Sequence, residues 1–148
     1  MPIAQPASPP IDLRILLRSI GQIVLQANAL TGALLLAALA LTDARLACAA
    51  LLGAAAANMC AVLTGAARRD VEQGLLGFNG ALAAIALMPR GARAACAAAV
   101  LAALLQALAM RAGITVLTLP FVLASWGTVW AVRRFTLGDA DVVIRSPS

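Results

Sequence analysis

The sequence predicts an all-α, polytopic membrane protein, and three observations carry that prediction. Apolar residues make up 63% of the chain against 11% charged, with a mean hydropathy of +0.96, a balance that a water-soluble domain of this size could not keep in solution. Those apolar residues fall into runs on the scale of membrane helices, separated by short stretches of Arg, Asp, Gly or Pro. In the last run a proline follows a threonine by two residues, Leu117-Thr118-Leu119-Pro120-Phe121, inside otherwise apolar sequence.

Taken in order, residues 1–12 form a Pro-rich leader without the charged start and apolar centre of a secretory signal, and read as disordered. Leu13 to Asn28 is a short helix candidate with Gln22 and Gln26 on one face at i,i+4. Its apolar part is too short to cross a bilayer, so it reads as re-entrant or interfacial. Five apolar runs follow, Ala29 to Thr42, Leu46 to Ala67, Gly74 to Met88, Ala92 to Met110 and Ile114 to Val132, which gives five spans. The first and third are short for a hydrocarbon core of about 30 Å and need flanking residues or partner helices to bridge it. The organisation expected is a leader over 1–12, a membrane unit over 13–134 and a polar tail over 135–148.

Charge and composition exclude several function classes. All 11 basic residues are Arg and the net charge is +5, but they sit between apolar runs and form no patch suited to nucleic acid. The chain has no His. Its acids are Asp12, Asp43, Asp70, Glu72, Asp139 and Asp141, all outside the apolar runs. Parts for hydrolytic, metal or proton-transfer chemistry are therefore lacking, so no enzyme, cofactor or metal site is expected. A proton-coupled pump would place an ionisable group within a span, and passive movement of a neutral solute fits better. Cys48, Cys60 and Cys96 have neither metal-ligand spacing nor His neighbours and read as small buried hydrophobes.

Five crossings put Arg14, Arg18, Arg68, Arg69 and Arg111 on one side and Arg45, Arg90, Arg93, Arg133 and Arg134 on the other. So even a count sets no orientation by the positive-inside rule. Insertion both ways, with an odd number of spans, is what an antiparallel homodimer about an in-plane two-fold needs.

The last run points to a pore. Within a helix Pro120 would leave the carbonyl of Val116 without a donor. Unpaired backbone at membrane depth is tolerated where it lines a wet cavity. In the third run, Gly74-Leu75-Leu76-Gly77-Phe78-Asn79-Gly80-Ala81-Leu82, Phe78 and Leu82 fall on one helical face beside glycines that permit close approach.

Four stretches in register resemble the urea transporter family: Gly21-Gln22-Ile23-Val24-Leu25, Asn28-Ala29-Leu30-Thr31-Gly32, the Gly77-Phe78-Asn79-Gly80-Ala81-Leu82 stretch, and Leu117-Thr118-Leu119-Pro120-Phe121 followed by Ser125-Trp126. The resemblance runs from about Leu13 to Arg134. It implies one five-span repeat with a short re-entrant pore helix, equal to one of the two opposed halves such proteins usually carry. It further implies Gln22 at the end of the pore helix, Phe78 and Leu82 as a slot, Thr118 at the constriction, and Leu25 where an aromatic lining residue is frequent. Two local departures are Ile114-Thr115 in place of Leu-Pro, and Ala29 where Pro is common after the asparagine. The implied activity is passive urea transport across a plasma membrane, that of a bacterium, by an inverted homodimer or higher homo-oligomer in the lipid bilayer.

Physically the set suits urea, a flat neutral dipole whose N–H groups need acceptors and whose faces tolerate apolar contact. Gln22, Thr118 and the Val116 carbonyl could accept in a row, while an uncharged slot gives ions nothing to offset their dehydration. From the residues alone duller roles stay open: interhelical hydrogen bonds for Gln22 and Gln26, core packing for Phe78 and Leu82, back-bonding for Thr118, and backbone fixation for Asn79. Asn58 and Gln106 are assigned to helix packing, and Trp126 and Trp130 to interfacial anchoring. Two other functions also remain: a channel for ammonia, water or a short amide, and a non-transporting half that serves as an assembly subunit.

Overall fold

The computed structural model describes residues 11–114 and 117–144, with side chains described as far as Arg134. The Pro-rich leader before Ile11 and Val116 with its carbonyl lie outside the described residues. Among the described residues all regular structure is helical.

Asp12 starts α1 (Leu13–Gly21), its Oδ1 accepting the Ile15 N–H at 2.9 Å as an N-cap whose charge also suits the positive helix end. A 3₁₀ turn, Gln22–Val24, continues α1 and stops at Leu25, where φ is +60°. Gln26 N–H donates to the Gly21 carbonyl at 3.1 Å and Leu25 N–H to the Gln22 carbonyl at 2.9 Å, the crossed pair of a Schellman stop. The expected helix to Asn28 therefore ends early, and Gln22 and Gln26 do not share a helical face. The same crossed pair occurs at Gly65, Gly74 and Gly113, with φ of 79°, 74° and 71°. Of these four stops Leu25 alone puts a side chain in the left-handed position, which costs about 1–2 kcal/mol.

Asn28 caps α2 (Ala29–Thr42) through Oδ1 to the Leu30 N–H at 2.9 Å, and α1 with its turn is bent by 78° from α2. A Cβ at Gly32 would overlap the Leu17 carbonyl, so only glycine lets the pair close. Asp43 caps α3 (Ala44–Leu63), accepting the Arg45 N–H at 2.8 Å. Then come α4 (Arg68–Glu72), α5 (Phe78–Leu87), a 3₁₀ turn over Met88–Arg90, α6 (Ala92–Arg111) and α7 (Leu119–Ile144).

Helices α3 and α6, 20 residues each, are long and apolar enough to cross a membrane, and the bent α1–α2 pair makes a third if taken as one span. At 14 residues α2 rises about 21 Å, and at 10 residues α5 rises about 15 Å, against a hydrocarbon core of about 30 Å. The third apolar run is helical only from Phe78, because Gly74 turns the chain with a positive φ. Pro120 does not break a helix. It sits in the first turn of α7, where its missing N–H has no helical acceptor to lose. That helix also continues past Val132, where the apolar run ends, to Ile144.

The core is built from small residues. Ala49, Ala84, Ala95, Ala98, Ala102 and Ala124 bring α3, α5, α6 and α7 together, with Leu87 the largest buried side chain in that cluster. Where α3 crosses α5, a Cβ on Gly53 would overlap the Gly80 carbonyl and one on Gly80 the Gly53 carbonyl. Large apolar side chains instead point outward, among them Leu34, Leu41, Leu52, Leu63, Leu108 and Trp126. Small inside and large outside is the arrangement of helices packed in lipid, where close backbone approach drives association. Cys48 and Cys96 follow the outer pattern and are exposed, while Cys60 is partly buried. This corrects the expectation of buried thiols: in lipid a cysteine gains nothing by facing the core.

The helices α3 and α6 run parallel, with α5 between them and reversed. One end gathers Arg45 with the Met88–Ala92 turn around one cavity. The other gathers Ala66, Asp70 and Arg111 around another, and there Arg18 donates Nη1 to the Glu72 carbonyl at 2.8 Å.

Candidate functional site

Two places where the helical path stops hold the predicted polar site residues. The first is the end of α1. Gln22 is only 8% exposed and donates Nε2 to the Gln73 carbonyl at 3.2 Å, which ties the turn to the chain just before α5. Leu25, one turn on, is 77% exposed and held left-handed. The 3₁₀ turn also packs against α5.

The second is the start of α7. Thr118 is exposed and precedes the helix, its carbonyl accepting the Val122 N–H at 3.1 Å. Pro120 behind it is buried, and Phe121 is half-buried against the alanine core. The Leu117 carbonyl accepts Asn79 Nδ2 at 2.7 Å.

Asn79 links these parts. It is fully buried in the first turn of α5, beside Phe78, and its Nδ2 also donates to Gln106 Oε1 at 3.0 Å. Gln106 Nε2 in turn donates to the Leu75 carbonyl at 3.0 Å. Two amides from α5 and α6 thus fix the backbone on both sides of the Phe78 position, at Leu75 and at Leu117. Such a linked set of bonds in a low-dielectric interior restrains the segments it joins, because each partner lost strands another. The Oδ1 of Asn79 remains buried without a protein partner. A parallel clamp sits behind α1, where Asn58 Nδ2 on α3 donates to Ser19 Oγ and to the Ala54 carbonyl, both at 2.9 Å.

Phe78 is 7% exposed, and Leu82 one turn later is half-buried. Phe78 lines an open cavity of about 430 Å³ together with Asp70, Leu76, Gln106, Ile114 and Leu117. Its walls are mainly apolar, with the Gln106 amide and the Asp70 carboxylate at the edge. The structure thus brings Phe78 beside Leu117, one residue from Thr118, whereas Gln22 and Leu25 lie outside that cavity's lining.

Sequence reasoning missed Gln73 as the partner of Gln22, and Ser19 as the partner of Asn58. Asn58 and Gln106 do join helices, as assigned. No group of three or more His, Cys, Asp or Glu suited to a metal occurs among the described residues.

No curated protein matches the chain. A family model described as urea transporter matches residues 13–147, nearly the whole sequence and every helix described above. On that match the chain belongs to the urea transporter family.

Proposed function

We propose that this chain conducts urea passively across the plasma membrane, through a path completed by a second, antiparallel copy of itself. The observation that carries the reading is a pair of non-helical segments, the stop after Gln22 and the stretch at Thr118 before α7, tied to the two ends of the α4–α5 connection: Gln22 donates to the Gln73 carbonyl, and Asn79 donates to the Leu117 carbonyl beside Thr118. In membrane carriers, broken helices lend backbone and side-chain groups to a polar solute at membrane depth. Here the Gln22 amide, with its nitrogen held by Gln73, offers its oxygen to urea N–H groups, and the exposed Thr118 hydroxyl offers another acceptor. Phe78 and Leu82 present apolar surface to the flat faces of the solute, and none of Gln22, Phe78, Leu82 and Thr118 carries a charge to offset the dehydration of an ion, Asp70 being the one acid in the lining of the Phe78 cavity. Several weak sites in series allow entry and fast release.

The second copy is supported by exposure and by charge. Leu25, Leu117 and Thr118 face outward from the single chain, as residues would that wait for an opposing half. The arginines divide five against five, Arg14, Arg18, Arg68, Arg69 and Arg111 against Arg45, Arg90, Arg93, Arg133 and Arg134, so neither insertion is favoured. In this assembly the unit over 13–134 supplies five crossings, with α2 and α5 lengthened by turns and neighbours.

Stopped-flow uptake of urea, acetamide, ammonia and water into vesicles holding the pure protein tests the solute. Urea entry well above empty vesicles, with little gain for water, is expected. Equal acceleration of all four would overturn the slot.

A further inference from the structure

We propose a binding site for an anionic phospholipid at the end of the helical core marked by Arg45, Arg90 and Arg93, away from the candidate urea path. An outward-facing groove of about 260 Å³ runs between the two spanning helices, floored by Ala49, Gly53 and Ala56 of α3 and by Ala95, Cys96 and Ala99 of α6. No polar side chain other than the Cys96 thiol lines it. Leu52, 65% exposed, and Val100, 45% exposed, stand at its edges. A groove of this shape on the outer face of membrane-length helices meets hydrocarbon, and an acyl chain fills it without stranding any polar group.

One end of the groove is basic. Ala49 and Ala95 lie within two turns of the starts of α3 and α6, which both begin at the same end of the molecule. There Arg45, Asp43, Met88, Pro89, Gly91 and Ala92 enclose a second cavity of about 550 Å³. Arg90 lies within the Met88–Ala92 turn and Arg93 directly after it, and all three arginines are exposed. Gly91 precedes α6 without a side-chain cap, so the first amides of α6 also face that region. Asp43 is the nearby opposing charge, and its carboxylate is engaged by the Arg45 N–H as the cap of α3. From Arg45 to Ala56 the helix rises about 16 Å, a depth that matches a head group at the arginines with its chain descending into the groove. Basic pockets above apolar clefts between membrane helices suit anionic head groups. The charge and the groove together select a phospholipid over a neutral lipid or a free anion.

The test is thermal unfolding of the purified protein in mild detergent. Phosphatidylglycerol, phosphatidylcholine of the same chains, and soluble glycerol 3-phosphate are each added separately. Phosphatidylglycerol is expected to raise the midpoint by about 5 °C, and the other two by far less. The triple variant Arg45→Gln, Arg90→Gln, Arg93→Gln should lose that preference. Cys96→Phe, and independently Ala56→Leu, should lose it by filling the groove. Equal stabilisation by phosphatidylcholine, a full shift with glycerol 3-phosphate alone, or an intact preference in the triple variant would each overturn the site. A change in oligomeric size on Cys96→Phe with the lipid preference kept would instead assign the groove to contact between copies. None of these readouts requires urea flux, so the lipid site stands or falls apart from the transport reading.

Discussion

The α3–α5–α6 core and the two segments around Gln22 and Thr118 are built on opposite rules. In the core every close approach is closed by the chain itself: Gly53 against Gly80, alanine against alanine, and Asn79 against Gln106. At the two non-helical segments Gln73 holds Gln22 and Asn79 holds the Leu117 carbonyl, while Leu25, Leu117 and Thr118 are exposed. The difference separates scaffold from site. The scaffold closes within one copy, whereas Leu25, Leu117 and Thr118 stay exposed on it.

The largest expected effect lies in the scaffold. Gly53→Val places a side chain against the Gly80 carbonyl, an overpacked crossing that should cost about 3 kcal/mol, read as a lower unfolding midpoint and loss of monodisperse protein. An unchanged midpoint would mean that α3 and α5 do not pack at this glycine pair. Asn79→Leu comes next. It strands Gln106 Oε1 and the Leu117 carbonyl, with an expected loss of about 2–3 kcal/mol and a fall in urea flux, since Leu117 adjoins Thr118. If flux survives while stability falls, the amide clamp holds the core and not the path.

Site variants should be milder in stability and sharper in flux. Gln22→Leu removes one acceptor and the bond to Gln73, and urea flux should drop about tenfold with a stability loss near ~1 kcal/mol. A flux equal to the parent's would restrict Gln22 to its bond with Gln73. Smallest is Leu25→Gly. Relief of the left-handed side chain, set against the extra freedom of the unfolded chain, should stabilise by about 0.5–1 kcal/mol, read from the unfolding midpoint. A loss of stability would show that the exposed Leu25 side chain is covered by a partner.

Part of the fold was legible because the Arg, Asp, Gly and Pro that bound each apolar run act locally. The apolar run from Ala29 to Thr42 has the same bounds as α2, and α6 differs from its run by a single residue at Arg111. The stop at Leu25 was hidden, since the usual sign of a helix end is glycine and here a leucine takes that backbone. Pro120 was read as a break within a helix. The residue before a proline does not reveal on which side the helix lies, and α7 begins at Leu119. Alanine-rich helices carry no amphipathic stripe, so neither the outward cysteines nor the inward faces of α3 and α6 were visible in the spacing. The four motifs marked Gln22, Phe78 and Thr118, but their supports depend on partners far along the chain. Gln73, 51 residues from Gln22, and Leu117, 38 from Asn79, meet them only once the helices pack.

The most direct test of the transport reading is urea uptake into proteoliposomes that contain only this polypeptide, beside empty vesicles and the Thr118→Val variant. Thr118 is exposed and its side chain makes no hydrogen bond to a described residue, so the variant should keep the parent's unfolding midpoint. Saturable or inhibitor-sensitive entry, lowered about tenfold in the variant, is the result expected if copies of this chain complete a urea path. Entry no faster than into empty vesicles, from protein shown to be folded, would contradict it.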